Sequence, residues 1–208
     1  TFATPLLVKP LALGADLVVH SLTKYLGGHG DLLGGVVVTR QEFQPALQAV
    51  SRTTGAVLGP FECYLAMRGI KTFPLRMARQ CANACRVATW LAAHPRIERV
   101  IFPGDPNHPD HAVARRLFPP GLFGAMVSFE VKDAGRDDVF KLVDSFRMIV
   151  PATSLGDVHT MVLYPPMSSH RDLAPKHRRR MGIGDSFLRL SVGIEAPEDI
   201  IEDLSQAL

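Results

Sequence analysis

An α/β fold is predicted from three features of the sequence: short valine-rich runs, helical stretches between them, and glycine or proline at the joins. The first run is Ala15-Asp16-Leu17-Val18-Val19-His20, entered from Gly14, and the second is Gly34-Gly35-Val36-Val37-Val38-Thr39. Both read as buried strands of one sheet, because a strand covered on both faces needs a near-continuous apolar run. The glycine-rich loop Gly27-Gly28-His29-Gly30-Asp31 lies between them.

Gln41 to Val50 reads as a helix, Gly59-Pro60 marks a break, and a further helical stretch starts at Phe61. Leu75, Ala78, Ala82, Val87, Leu91 and Ala92 give residues 75–94 a long helical pattern of core-packing type. It ends at His94-Pro95, since the residue before proline disfavours α geometry. Short strands then alternate with helices: Val100–Phe102, a helix near 110–118, Met126–Val131, a helix near 136–146, Phe187–Val192 and a last helix over 197–207. Pro197, Glu198 and Asp199 suit the start of that helix, with proline in its first turn and acids at the positive end of its dipole. The alternation implies a sheet covered by helices.

Bulk composition narrows the function classes. The 208 residues are 47% hydrophobic and 21% charged, as in an ordinary globular protein with a sizeable core. A net charge of +3 is too small and too dispersed to imply nucleic acid as a partner. No run has the length and apolarity of a membrane span and no leader pattern opens the chain, so no membrane association is expected. Cys63, Cys81 and Cys85 offer no disulfide framework, which points to a reducing cytoplasm, and no metal site is expected from them. Asn107-His108-Pro109-Asp110-His111 reads as a solvated loop, and Arg178-Arg179-Arg180 as a solvated helix face.

The strongest local signal for chemistry is His20-Ser21-Leu22-Thr23-Lys24-Tyr25, where a strand end meets the glycine-rich loop. Two hydroxyls spaced by two residues, with backbone N–H groups freed by glycines, can hold a phosphate. A lysine beside that phosphate can bond covalently to a carbonyl cofactor, and pyridoxal 5′-phosphate (PLP) carries both groups. Taken alone, a Ser-x-Thr-Lys run more often caps a turn beside a solvated lysine.

The surrounding text extends the signal. Phe2-Ala3-Thr4-Pro5, Pro10-Leu11, Leu13-Gly14-Ala15-Asp16, Val18-Val19-His20-Ser21 and Thr23-Lys24-Tyr25 closely resemble the lysine region of the Cys/Met metabolism PLP-dependent enzymes. Pro60-Phe61-Glu62, Arg68-Gly69-Ile70-Lys71-Thr72, Ser154-Leu155-Gly156 and Arg189 to Glu195 continue the resemblance in order, as does Glu198 to Leu204. This family includes cystathionine γ-synthase, the cystathionine lyases, methionine γ-lyase and O-acetylhomoserine sulfhydrylase.

The resemblance implies a role for each of several residues. Lys24 would be the catalytic lysine that holds PLP, Ser21 and Thr23 would bind the cofactor phosphate, Arg189 would clamp the substrate α-carboxylate, and Ser154 would lie beside Lys24 and that carboxylate. It implies the C-terminal part of a fold type I (aspartate aminotransferase-like) protein: residues 1–70 as the remainder of the PLP-binding large domain, and 71–208 as a linking helix with a smaller C-terminal α/β domain. It further implies a sulfur amino acid substrate, a homo-oligomer built as a dimer of dimers, and a cytoplasmic enzyme. Cystathionine-using members tend to carry a glutamate in Ser-Leu-Gly-Gly-x-Glu-Ser, whereas this chain has Ser154-Leu155-Gly156-Asp157-Val158-His159-Thr160. That version looks more like methionine γ-lyase and the sulfhydrylases, so γ-elimination is expected, with cystathionine γ-synthase, cystathionine lyase or sulfhydrylase chemistry as alternatives. The family's aspartate for the pyridine nitrogen, its ring-stacking aromatic and its N-terminal arm would all lie before Thr1. The chain is therefore expected to be a fragment, and a non-catalytic structural or interaction piece is the competing expectation.

Overall fold

A computed structural model describes residues 1–208. A one-turn helix, α1 (Thr4–Leu7), leads through a 3-10 turn to β1 (Leu17–Ser21). A turn of π-helix, Leu22–Leu26, follows directly, and β2 (Gly35–Thr39) returns antiparallel to β1 with Leu17 opposite Thr39 and Ser21 opposite Gly35. Next come α2 (Gln44–Thr54), α3 (Pro60–Ala93), β3 (Ile97–Ile101), α4 (His111–Leu117), β4 (Met126–Val131) and α5 (Arg136–Ser145). The chain ends with β5 (Val150–Pro151), β6 (Met161–Leu163), α6 (Pro175–Arg180), β7 (Phe187–Ser191) and α7 (Pro197–Ala207). The mixed α/β class and most of the expected elements are present. No helix is long and apolar enough to cross a membrane.

Two sheets divide the strands. β1 and β2 form a ribbon, while the other five run in the order β3-β4-β7-β6-β5, antiparallel throughout except for β5 beside β6. In β4 the side chains alternate, so Val127, Phe129 and Val131 are buried while Met126, Ser128 and Glu130 are half-buried on the other face. Leu188 and Leu190 of β7 join the buried set. Helix α3 packs on β3, β4 and α7, and α5 packs on α7, so the helices enclose this core. Each aliphatic side chain fully buried there contributes about 1.5–3 kcal/mol. A single apolar cluster runs from Leu7 and Tyr25 through α3 to Leu204, joining the ribbon end of the molecule to the larger sheet.

The structure corrects several sequence expectations. The valine-rich strands β1 and β2 are not buried: Leu17, Val19, Val37 and Val38 are all exposed, because nothing in the chain covers the ribbon's outer surface. The helical stretches from Phe61 and over 75–94 are one helix that continues through Pro74. Proline removes one N–H and crowds the preceding turn. Side-chain donors from Thr72 and Arg76 to the Gly69 carbonyl tie that same turn together. The core face of α3 is also rotated from the expected one. Val87 and Leu91 are buried as expected, but Leu75, Ala78, Ala82 and Ala92 are exposed, and Phe73, Met77, Cys81, Ala84 and Ala88 are buried in their place. Arg178 is not solvated, being 11% exposed and paired with Asp185 at 2.7 Å.

Candidate active site

Lys24 sits in the π turn that closes β1. Leu22 N–H donates to the Gly34 carbonyl (2.9 Å), Gly27 N–H to the Leu22 carbonyl (2.8 Å) and Gly28 N–H to the Lys24 carbonyl (2.8 Å). The wide turn accommodates a non-helical Lys24 (φ −95°, ψ −138°), between buried Leu22 and buried Tyr25. Single π turns of this kind recur at functional sites because they redirect one side chain without ending the turn. Here Lys24 Nζ donates to Ser154 Oγ at 2.9 Å, across 130 residues of chain. No carboxylate lies within ion-pair distance of Lys24, so the amine is free of a salt bridge.

The strand β7 supplies the opposing wall. Because side chains alternate, Leu188 and Leu190 face the core while Arg189 and Ser191 share the other face. Ser191 Oγ accepts from Gly156 N–H (2.8 Å), and Arg189 Nη2 reaches the Ser154 carbonyl at 3.5 Å. The 154–157 loop is thereby laid across β7, with Ser154 between Lys24 and Arg189. Gly156 adopts φ +81°, and a Cβ there would stand 2.6 Å from Tyr25 N, so the loop touches the lysine turn backbone to backbone.

Charge in this region is underused. Arg189 Nε is buried without a hydrogen-bond partner, and burial lowers the guanidinium pKa from its ordinary value. The Tyr25 hydroxyl is also buried and unpartnered, and burial pushes it well above the usual phenol range. A half-buried guanidinium with an unmet donor can receive a planar anion, since its fork matches a carboxylate. Thr23, Gly30, Asp31, Glu62, Ser154, Leu155 and Asp157 line an adjoining open cleft of about 560 Å³.

The expected site residues are thus distributed as follows. Lys24, Ser154 and Arg189 are brought together. Ser21 and Thr23 precede the lysine, at the end of β1 and in the π turn. Thr23 Oγ1 accepts from Gly34 N–H at 3.0 Å, while its own hydroxyl reaches the Gly34 carbonyl only at 3.4 Å, too long for a strong O–H···O bond. Its proton therefore remains free to turn toward an anion. His159 is exposed, with Nδ1 3.5 Å from Asp157 Oδ1.

Three buried polar residues of α3 went unread in the sequence: Arg76, Gln80 and Asn83. Arg76 donates to the Tyr25, Leu26 and Gly27 carbonyls, Gln80 to the Asp157 carbonyl, and Asn83 to the Gly193 and Glu195 carbonyls. Their spacing of four and then three residues, which marks one helix face, was the available signal.

Similarity to known proteins extends over the whole chain. The sequence model of a family described as Cys/Met metabolism PLP-dependent enzyme matches residues 1–208. L-methionine gamma-lyase of Fusobacterium nucleatum subsp. polymorphum is 46% identical over 213 residues, covering 100% of this chain and 52% of that protein. O-succinylhomoserine sulfhydrylase of Pseudomonas aeruginosa is 44% identical over 207 residues, again across 100% of this chain and 51% of the relative. A crystal structure of cystathione gamma lyase from Micromonospora echinospora superposes with a TM-score of 0.94 at 44% identity, over 100% of this chain and 54% of that one. The chain spans about half the length of the relatives it matches.

Proposed function

This chain belongs to the Cys/Met metabolism PLP-dependent enzyme family, and from that premise we propose that it carries the lysine half of an active site that cleaves a sulfur amino acid by γ-elimination. The observation that carries this reading is the group formed by Lys24 Nζ, Ser154 Oγ 2.9 Å away, and the half-buried Arg189 guanidinium beside Ser154, whose Nε has no partner. Because the relatives are nearly twice as long, the proposed catalytic unit is this chain completed by a segment equivalent to their other half. A homo-oligomer built as a dimer of dimers and a cytoplasmic location are parts of the same proposal. So is a division of the chain at residue 70, inside α3.

The residues fit the cofactor. Lys24 would hold PLP covalently, while Ser21 and Thr23 would hold its phosphate. PLP, when bound, supplies an electrophilic carbon and an electron sink for negative charge developing at the substrate α-carbon. Arg189 binds the α-carboxylate through its fork and so fixes the orientation of the Cα–H bond. Lys24 Nζ, released when the substrate amine takes its place on the cofactor, would then take the α-proton as a general base, with Ser154 Oγ as its hydrogen-bond partner.

His159 stands where cystathionine-using members tend to carry a glutamate that can meet a distal ammonium group. That supports methionine or an activated homoserine ester over cystathionine.

The test is a PLP titration followed by borohydride trapping and peptide mapping, on this chain and on an upstream-extended form. Label on Lys24 and release of a thiol and a 2-oxo acid from methionine are expected, both lost in Lys24→Ala. Label on another lysine, or turnover surviving Lys24→Ala, overturns the reading. Trapping at Lys24 without methionine cleavage, but with thiol exchange into a homoserine ester, moves the assignment to the sulfhydrylases.

A further inference from the structure

We infer that the buried polar face of α3 formed by Arg76, Gln80 and Asn83 is the positioning element of this site, with Arg76 setting the direction of Lys24; the inference rests on the reading of Lys24 just given. Three observations converge on it. The first is the burial of Arg76 itself, 5% exposed, with no carboxylate within ion-pair distance. An unpaired buried guanidinium is expensive to desolvate, and a hydrophobic residue would fill the space at less cost. Its hydrogen bonds must therefore account for it.

Those bonds go to the lysine turn. Nη1 donates to the Tyr25 carbonyl at 2.9 Å, and Nη2 to the Leu26 and Gly27 carbonyls at 3.3 Å each and to Gly69 at 2.9 Å. Nε donates to Thr72 Oγ1 at 3.1 Å, which orients the plane of the guanidinium. Three consecutive carbonyls after Lys24 are thus gathered on one rigid fork, and the peptide plane that sets the lysine's exit direction is held with them. Gly28 allows the approach: it lies at φ +74°, and a Cβ there would stand 1.9 Å from Arg76 Nη1. Lysine could not substitute, because an ammonium is a point donor without the planar fork.

The second observation is where the other two residues reach. Gln80 Nε2 donates to the Asp157 carbonyl at 2.7 Å, in the segment carrying Ser154. Asn83 Nδ2 donates to the Gly193 and Glu195 carbonyls at 3.0 and 2.8 Å, in the segment following Arg189. One helix face therefore holds the three separate segments that carry Lys24, Ser154 and Arg189. The third observation is that these segments also touch each other, with Val158 N–H donating to the Gly28 carbonyl at 3.0 Å. A small displacement of the turn would therefore pass directly into the Lys24–Ser154 distance.

The experiment compares Arg76→Gln, Arg76→Lys, Thr72→Val and, as a control at an exposed neighbouring position of α3, Leu75→Ala. Thr72 is exposed, so Thr72→Val keeps the charge and the fold while releasing the guanidinium plane. Two measurements are made on the full chain: the pH–rate profile for acylation of Lys24 by a small activated ester, read by mass spectrometry without cofactor, and the yield of borohydride-trapped PLP on Lys24. A misplacement near 1 Å predicts roughly a 10- to 100-fold loss of trapping in Arg76→Gln, little rescue by Arg76→Lys, and an intermediate loss in Thr72→Val. The Lys24 acylation profile should shift in the same order, with Leu75→Ala unchanged. Wild-type profiles in Arg76→Gln and Thr72→Val, with only the melting temperature lowered, would make Arg76 structural and overturn the inference. Equal losses in Leu75→Ala would do the same. Should Arg76→Gln not fold, Thr72→Val decides. Failure of the wild type to trap PLP sinks the functional reading alone, since the cofactor-free profile still judges Arg76.

Discussion

Val37 and Val38 of the two-stranded ribbon are 45% and 43% exposed, whereas Val127 and Val131 of the five-stranded sheet are 0% and 3% exposed. The residue type is the same and both segments are regular strands. The difference lies in what covers them. The larger sheet has α3, α5 and α7 across one face and the 154–157 loop across part of the other, while the ribbon has apolar side chains on both faces and few neighbours. β-Branched residues select extended backbone through the preferences of their own side chains. Burial is a separate condition, set by other layers.

The largest expected effect comes from the covered sheet. Leu190→Ala should lower stability by about 2–5 kcal/mol in a urea titration, since the site is fully enclosed. A loss near zero would mean that the five-stranded core is as open as the ribbon. Next is Asp203, a buried carboxylate on α7 that accepts from the N–H groups of Arg147, Met148 and Ile149 and so fixes the entry to β5. Burial alone would raise its pKa, but these bonds outweigh that and hold it below the ordinary carboxylate value. Its stabilisation is therefore complete above the unfolded-state pKa and lost as pH falls through the lower, folded value. Asp203→Asn should cost about 1–3 kcal/mol at neutral pH, and the gap between variant and parent should close in acid. A constant gap across that range would remove the charged form from the explanation.

The smallest effect belongs to the ribbon. Val19 and Val37 face each other across the two strands. Exchanging them together for lysine and glutamate should change stability by no more than about 0.5 kcal/mol, while reducing dye binding and self-association. A loss above about 2 kcal/mol would mean that the pair is covered, and would erase the contrast between the two sheets.

The same contrast explains what could be read in advance. Strands β1, β2, β4 and β7 and helices α5 and α7 were legible because their apolar residues follow a period or end at clear caps. Val150–Pro151 and Met161–Leu163 are too short to show a period, and only pairing with β7 and with each other makes them strands. Lys24, Ser154 and Arg189 could be named as a group because motifs around them are distinctive, although the residues lie far apart in sequence. Arg76 could not, because a charged residue on a helix is solvated by default, and its acceptors lie 49 to 51 positions earlier. The burial of α3 was misjudged for the same reason. Counting only apolar residues finds Val87 and Leu91 but also places the stripe on Leu75, Ala78, Ala82 and Ala92, whereas the true face includes three polar side chains.

Helix α3 also constrains how the chain can vary in length. Each residue of an α-helix advances the axis by about 1.5 Å and turns it by about 100°. Inserting or deleting one residue between Arg76 and Asn83 would swing the later donors off the carbonyls they reach, and no nearby loop could absorb the error. Arg76 and Asn83 serve segments more than 160 positions apart in the chain, Tyr25 to Gly27 at one end and Gly193 to Glu195 at the other. The loop over 103–110, which contacts none of these donors, can lengthen or shorten without such a penalty. Between residues 76 and 83, α3 should therefore accept changes of side chain on its outer face far more readily than a change in residue count.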